Sequence, residues 1–386
     1  MSEVAAGPTS DRIHLTRRVD WLELFFDLVF VVVVRQLTDR LHGEPSPAEF
    51  LAVALLLVFA WTAWLNITFI TNVSGEGGAD RRIPVLLSMV GIGLIAVSIP
   101  NAFGDGAFLL ALGLAIPRVA ILPHWVRSRR LHGRGILEPT LIGPGVAALI
   151  LLTVLLPEPA RPWVWLVLVV APLVVALRGL RSLPVVASHL VERVALFTMI
   201  VLGESVVELI LAIYPAQSAL GWFTSFAGFA LICAFFWLYF QNATPTAERV
   251  LEHRPVAVLR DVVTVGHYLI VLGLIGVAAG LGSAIEHADE AHLPFGALVA
   301  LGGGVLVYHL AQLVIASRYG LPARTLLVLS PLAMIIPVLV IVLGRDWAPW
   351  LIVVVLTVDT VLHGLLGRVI ARRIPDDDEA AHAAAG

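Results

Sequence analysis

The chain has 386 residues, 59% of them hydrophobic and 14% charged, with a formal net charge of −3. A soluble domain is about a quarter charged, so this composition belongs in a membrane, and the absence of a basic stripe excludes nucleic acid as a partner. The single cysteine, Cys233, excludes an intrachain disulfide and a multi-cysteine metal site and is expected to pack within its apolar run.

Residues 1–16 are polar and arginine-bearing and read as a disordered cytoplasmic tail without a cleavable signal. The first apolar run, 21–40, contains Glu23, Asp27 and Arg35. A charge at the bilayer centre costs roughly 2.5–3.5 kcal/mol on insertion scales, so such groups face a bundle interior or a wet cavity. Further runs long enough to cross the hydrocarbon, which takes about 20 apolar residues, are 49–71, 83–103, 107–126, 138–157, 162–180, 191–213, 219–241, 262–285, 295–317, 322–344 and 348–370. Turn signals such as Pro45–Ser46–Pro47 and Pro157–Glu158–Pro159 separate them. Residues 374–386, with an acidic run and then alanines, read as a second disordered tail. The expected fold is an all-α polytopic membrane protein of about twelve transmembrane helices.

All 25 basic residues are arginines, and with twelve crossings 20 of them fall on the side of the N-terminus, Arg193 included. The positive-inside rule then makes both termini cytoplasmic and the protein a multi-pass component of the inner (plasma) membrane.

The two halves resemble each other in order. Leu24–Phe30 lies over Leu196–Leu202, Trp61–Asn66 resembles Phe236–Tyr239, and Val90–Ile95 lies over Ile270–Ile275, which pairs Gly93 with Gly273. The sixth and twelfth runs both open with Pro–Trp, at Pro162–Trp163 and Pro349–Trp350. Six crossings per copy give two parallel six-helix repeats, 17–185 and 186–373, and transporters built this way bind substrate between the repeats.

Glu23 and Asp27 are one turn apart and share a face. In the seventh run Glu192 and Arg193 precede Glu204, with Glu208 one turn beyond it. Gly203 removes bulk beside Glu204 and is expected to admit a neighbouring helix. Arg118 in the fourth run is the expected partner of Asp27 or Glu204. His267, His309 with Gln312, and Asp359 with His363 complete the buried polar set. A carboxylate and histidine one turn apart can relay protons, although a lone intramembrane histidine is more often structural. No ligand cluster points to a metal or cofactor, and no nucleophile–base set points to an enzyme. Trp61, Trp64, Trp237 and Tyr239 read as packing or an interfacial belt, and Gly276–Gly280 as a small-xxx-small helix contact.

The stretch Trp21–Phe30 and the stretch His189–Arg193 continuing to Gly203–Glu204–Ser205 resemble the two signatures of the bacterial low temperature requirement A (LtrA) family; Trp237–Phe240 and Gly266–His267 are similar to its pattern too. The resemblance implies a polytopic inner-membrane protein tied by name to growth in the cold. Arg35 stands where that pattern has a small or apolar residue, so no special role is expected of it. Phe25–Phe26–Asp27 is also similar to the Phe–Ser–Asp signature of a potassium-channel family of six plus six helices.

The expected function is secondary transport of a small solute or ion, with proton coupling as one mode. Glu23, Asp27, Arg118, Glu192, Arg193, Glu204, His267 and Asp359 are the candidate path or coupling residues. The alternatives are a cation channel and a non-transporting structural or sensory protein. The expected partners are the lipid bilayer, the solute and, as an open option, further copies of the chain.

Overall fold

A computed structural model of the chain describes residues 19–74, 79–131, 137–179, 185–243, 255–321 and 323–371. The tails expected at 1–16 and 374–386 lie outside these residues. Helices stand at each apolar run: α1 Trp21–Leu41, α2 Pro47–Ser74, α3 Ala79–Ser98, α4 Ala107–Ala120, α5 Leu122–Leu131, α6 Leu137–Leu152 and α7 Arg161–Gly179, then α8 Ala187–Ile213, α9 Ala219–Trp237, α10 Val256–Asp261, α11 His267–Glu286, α12 Phe295–Arg318, α13 Ala323–Leu343 and α14 Pro349–Ala371. Eight described helices are long and apolar enough to cross a membrane, and the chain is a polytopic α-helical membrane protein. α1 has the length but carries five charged residues, and two further apolar helices, Gly143–Leu155 and Arg161–Leu177, are shorter.

Local sequence sets the helix ends. α1 opens with a capping box: the Asp20 side chain accepts from the backbone at Glu23, and the Asp20 backbone N–H donates to Glu23 Oε2 at 3.2 Å. It closes at His42 and Gly43, where φ of +78° suits a residue without Cβ. The Gly43 N–H donates to Ser283 Oγ on α11 at 2.8 Å, tying the turn to the core.

Missing side chains bring helices together. A Cβ on Gly273 would lie 2.7 Å from the Gly304 carbonyl oxygen, and one on Gly276 would lie 2.9 Å from that of Ala300, so α11 and α12 meet backbone to backbone. Gly91 and Gly113 do the same for α3 and α4. Gly93 faces open space. The sequence alignment that set Gly93 over Gly273 is therefore two residues out of step with the glycine that makes the close approach.

The neighbours in the two halves follow one scheme. In the first, α1 packs on α2 and α3, α3 on α4, α4 on α6 and α2 on α7; in the second, α8 packs on α9 and α11, α11 on α12, α12 on α13 and α9 on α14. Between the halves, α1 lies along α8 and α11, with α2 also reaching both. Side chains such as Val97, Trp222 and Phe226 point outward and form the apolar surface that lipid covers. Cys233 is on this exposed surface and not in the core.

Two π-helical turns, Leu238–Ala243 and Val262–Gly266, flank the α9–α11 connection. Such turns free carbonyls from the regular ladder. Trp61 Nε1 donates to Thr264 O at 2.9 Å, and His267 Nδ1 lies 2.9 Å from Val262 O.

Candidate functional site

α1 and α8 meet in the same order along their lengths: Glu23 and Asp27 with His189 and Arg193, then Arg35 with Glu204 and Glu208. The two helices therefore run parallel, and their contact carries two layers of ionisable groups.

The layer near the helix N-termini is buried. Arg193, with no exposed surface, places Nη2 2.7 Å from Asp27 Oδ1 and Nη1 3.8 Å from Glu23 Oε2. Trp64 Nε1 donates to the same Asp27 oxygen at 2.8 Å. His189 Nε2 lies 2.9 Å from Glu23 Oε2. The tautomer of His189 follows from its neighbour. Asn72 accepts from the Val186 N–H through Oδ1 and donates to Val186 O through Nδ2, which fixes its amide orientation. The Asn72 Nδ2 group, 3.1 Å from His189 Nδ1, is thus a donor. His189 Nδ1 must accept, so the ring is neutral and Nε2–H donates to Glu23. Burial of an ion pair stabilises little in itself, but removing one partner strands a charge. This layer joins the halves.

Above it sits an aromatic layer. Trp61 and Trp64 stack with centroids 4.8 Å apart, and both meet the edge of Phe197; Phe30 packs on Phe197 at 5.6 Å and on Phe26 at 5.3 Å. Tryptophan here is core packing with a polar handle, not an interfacial belt. Trp237, by contrast, is half exposed.

The layer near the helix C-termini is open on one side. Arg35 grips Asp39 with Nε at 3.2 Å and Nη2 at 2.8 Å, and its Nη1 reaches Glu204 at 3.2 Å and Glu208 at 2.5 Å. His42 lies between Glu208 and Glu286, with Nε2 2.8 Å from Glu286 Oε2 and Nδ1 3.7 Å from Glu208 Oε2. Glu204 and Glu208 are buried, whereas the side chains of Arg35, Asp39 and Glu286 are 29%, 43% and 34% exposed. Four carboxylates face one guanidinium and one imidazole.

Several expectations change. Arg118 is not the partner of Asp27 or Glu204: it donates to Leu114 O of its own helix at 2.6 Å, and among the described residues no acid pairs with it. Arg193 and Arg35 take those two roles. Arg193 is therefore no loop charge and leaves the cytoplasmic tally. Glu192 is exposed, pointing away from the α1 contact. Gly203 is exposed with open space beside it and admits no helix. His267 lines neither layer; its Nε2 meets Tyr239 OH at 2.8 Å while Nδ1 holds the π-turn carbonyl. Asp359 pairs with His309 of α12 at 3.3 Å, not with His363 one turn along its own helix. Sequence reasoning passed over His42, Glu286 and Arg35 as site residues. The signal available was the pair of α1 positions one turn on from one another, Arg35 and Asp39, followed at the helix end by a histidine.

Residues 18–361 match the family model described as "Bacterial low temperature requirement A protein (LtrA)". The chain is 28% identical over 305 residues to an uncharacterized protein of Rhizobium meliloti (strain 1021), covering 74% of each chain. No solved structure matches it.

Proposed function

The chain belongs to the bacterial low temperature requirement A family, and from that premise we propose that it is a secondary transporter of a small solute or ion whose path runs along the α1–α8 contact. The observation that carries this reading is the pairing of a sealed, ion-locked layer with an acid-rich, half-open one across an aromatic layer. A carrier needs one end closed while the other is open, and aromatic packing with buried ion pairs makes a closed end. The acid excess favours a cationic cargo or coupling ion.

The proposal includes twelve crossings arranged as two parallel six-helix repeats. The matching neighbour scheme of α1–α7 and α8–α14 supports it, as does the parallel run of α1 and α8, the first helix of each repeat. It also places both termini in the cytoplasm of a cell whose inner membrane holds the protein, on the strength of the arginine distribution. The half-open layer then faces outward.

The test is flux. The full chain is reconstituted in liposomes and challenged with a panel of monovalent cations and cationic amines. Saturable uptake is expected, and Glu204→Gln is expected to abolish it in a protein that still purifies as a folded species. Uptake unaffected by Glu204→Gln, or no uptake of any solute on the panel, removes the reading. Unitary currents at millions of ions per second would make it a channel instead.

A further inference from the structure

We propose that the outward layer is a proton-uptake relay, in which Glu286 and His42 pass a proton to the buried Glu208. The proposal rests on the transport reading for its purpose, and it names the coupling ion of that site.

Three observations converge. First, His42 lies between an exposed carboxylate and a buried one: Nε2 is hydrogen-bonded to Glu286 at 2.8 Å, and Nδ1 faces Glu208 Oε2 at 3.7 Å, a short approach away from proton transfer. An imidazole with a carboxylate facing each nitrogen can accept at one and release at the other. Second, the ring is placed by design of the chain: Gly43 turns the backbone with φ +78° and is anchored to Ser283, and Gly282 leaves the gap in which the two groups meet. A Cβ on Gly282 would stand 3.1 Å from Glu208 Oε2 and 3.1 Å from His42 Cε1. Third, Glu208 and the adjacent buried Glu204 share Arg35 Nη1, while the rest of that guanidinium is committed to Asp39. Two buried carboxylates with one shared cationic donor hold a further positive charge most easily as a proton.

The groups that face the relay are Arg35, Asp39 and His42 from α1 and its end, Glu204 and Glu208 from α8, and Glu286 from α11. The step balances as follows. A proton from the Glu286 carboxyl adds to His42 Nε2 and makes an imidazolium. The Nδ1–H proton then leaves to Glu208 Oε2, and a neutral imidazole protonated at Nε2 remains; the ring, 28% exposed, returns to its starting tautomer by losing the Nε2 proton to water and taking one from water at Nδ1, with no net change. Neutral Glu208 no longer attracts Arg35, which loosens one of the ties between α1 and α8. The proton is thereby coupled to the contact that must move.

The experiment needs no cargo. Liposomes carrying the full chain are adsorbed on a solid-supported membrane, and the outer pH is stepped down at constant sodium. A transient displacement current is expected as the proton enters the membrane field. Glu208→Gln is expected to abolish it. His42→Ala is expected to slow it about 10²-fold, the low end of what a positioned proton-transfer group contributes, and external imidazole is expected to restore the rate, which a structural defect would not allow. Gly282→Ala is expected to slow it as well while leaving thermal stability near that of the wild type. No transient in the wild type, a full transient in Glu208→Gln, or His42→Ala at wild-type speed overturns the relay. So does a transient produced by a sodium step at fixed pH and lost in Glu208→Gln. A relay that passes these tests in a protein without solute flux would sink the transport reading alone, and flux without a proton transient would sink the relay alone.

Discussion

The two charged layers of the α1–α8 contact are made from the same residue types in different proportions and at different depths. Around Asp27 and Arg193 every charged group is buried, and the guanidinium answers two carboxylates with help from Trp64, Thr68 and a neutral His189. Around Arg35 the guanidinium answers three carboxylates, a fourth is reached only through His42, and part of the set is exposed. Low dielectric makes the first layer rigid: no member can leave without stranding a charge. The second sets four carboxylates against one guanidinium and one imidazole, and its rim is exposed, which is what the proposed exchange of protons or cations requires. Burial and charge ratio, not residue identity, distinguish the two layers.

The largest expected effect is at the lock. Arg193→Ala leaves Asp27 and Glu23 without their cation in the core and is expected to destabilise the protein by about 3–5 kcal/mol, read as a large fall in thermal unfolding temperature in detergent. Arg35→Ala also strands the buried Glu204 and Glu208, but its own site is part-exposed, so a smaller loss of about 1–3 kcal/mol is expected, together with loss of flux. Equal losses from the two substitutions would erase the distinction between the layers.

Trp64→Phe keeps the stack on Trp61 and Phe197 but removes the donor to Asp27. A hydrogen bond to a charged acceptor is worth roughly 1.5–3 kcal/mol, and a loss in that range is expected in equilibrium unfolding. A wild-type midpoint would mean that Asp27 does not depend on it.

Gly43→Ala puts a Cβ on a left-handed backbone at a strain of about 1–2 kcal/mol and shifts His42. Its signature is a slower proton transient with the inner layer intact, which hydrogen exchange at α1 residues 23–30 would report as unchanged protection. Faster exchange there would show that the two layers are not separable. The smallest effects are expected from Glu192→Gln and Gly203→Ala, both exposed on α8. Each should stay within about 0.5 kcal/mol of wild type with unaltered flux; a marked loss from either would return it to the site.

Much of the architecture was legible in the chain. Runs of some twenty apolar residues can do little but form helices in a bilayer, since every backbone group must be satisfied internally, and a helix stands at each of the twelve runs. Asp27, Glu204 and Arg193 also stood out, because ionised groups in such runs demand partners, and all three lie on the α1–α8 contact. The partners themselves were not legible. Arg118 is as apolar in its surroundings as Arg35 along the sequence, yet a guanidinium six bonds from its backbone can turn to its own helix carbonyl or reach across to α8, and helix rotation alone decides which. Gly91 and Gly93 differ by two residues, about 200° around a helix, and only one of them meets another backbone. His42 lies past the end of an apolar run, where composition carries no signal; the turn at Gly43 and the gap at Gly282, 239 residues along the chain from it, bring the ring between two acids. The sequence by itself determined that this is a bundle of membrane helices with charges that must be met inside it. Which charge meets which, and which layer is buried, was decided by tertiary packing, because rotation about a helix axis and the depth of burial are properties of neighbours and not of the run.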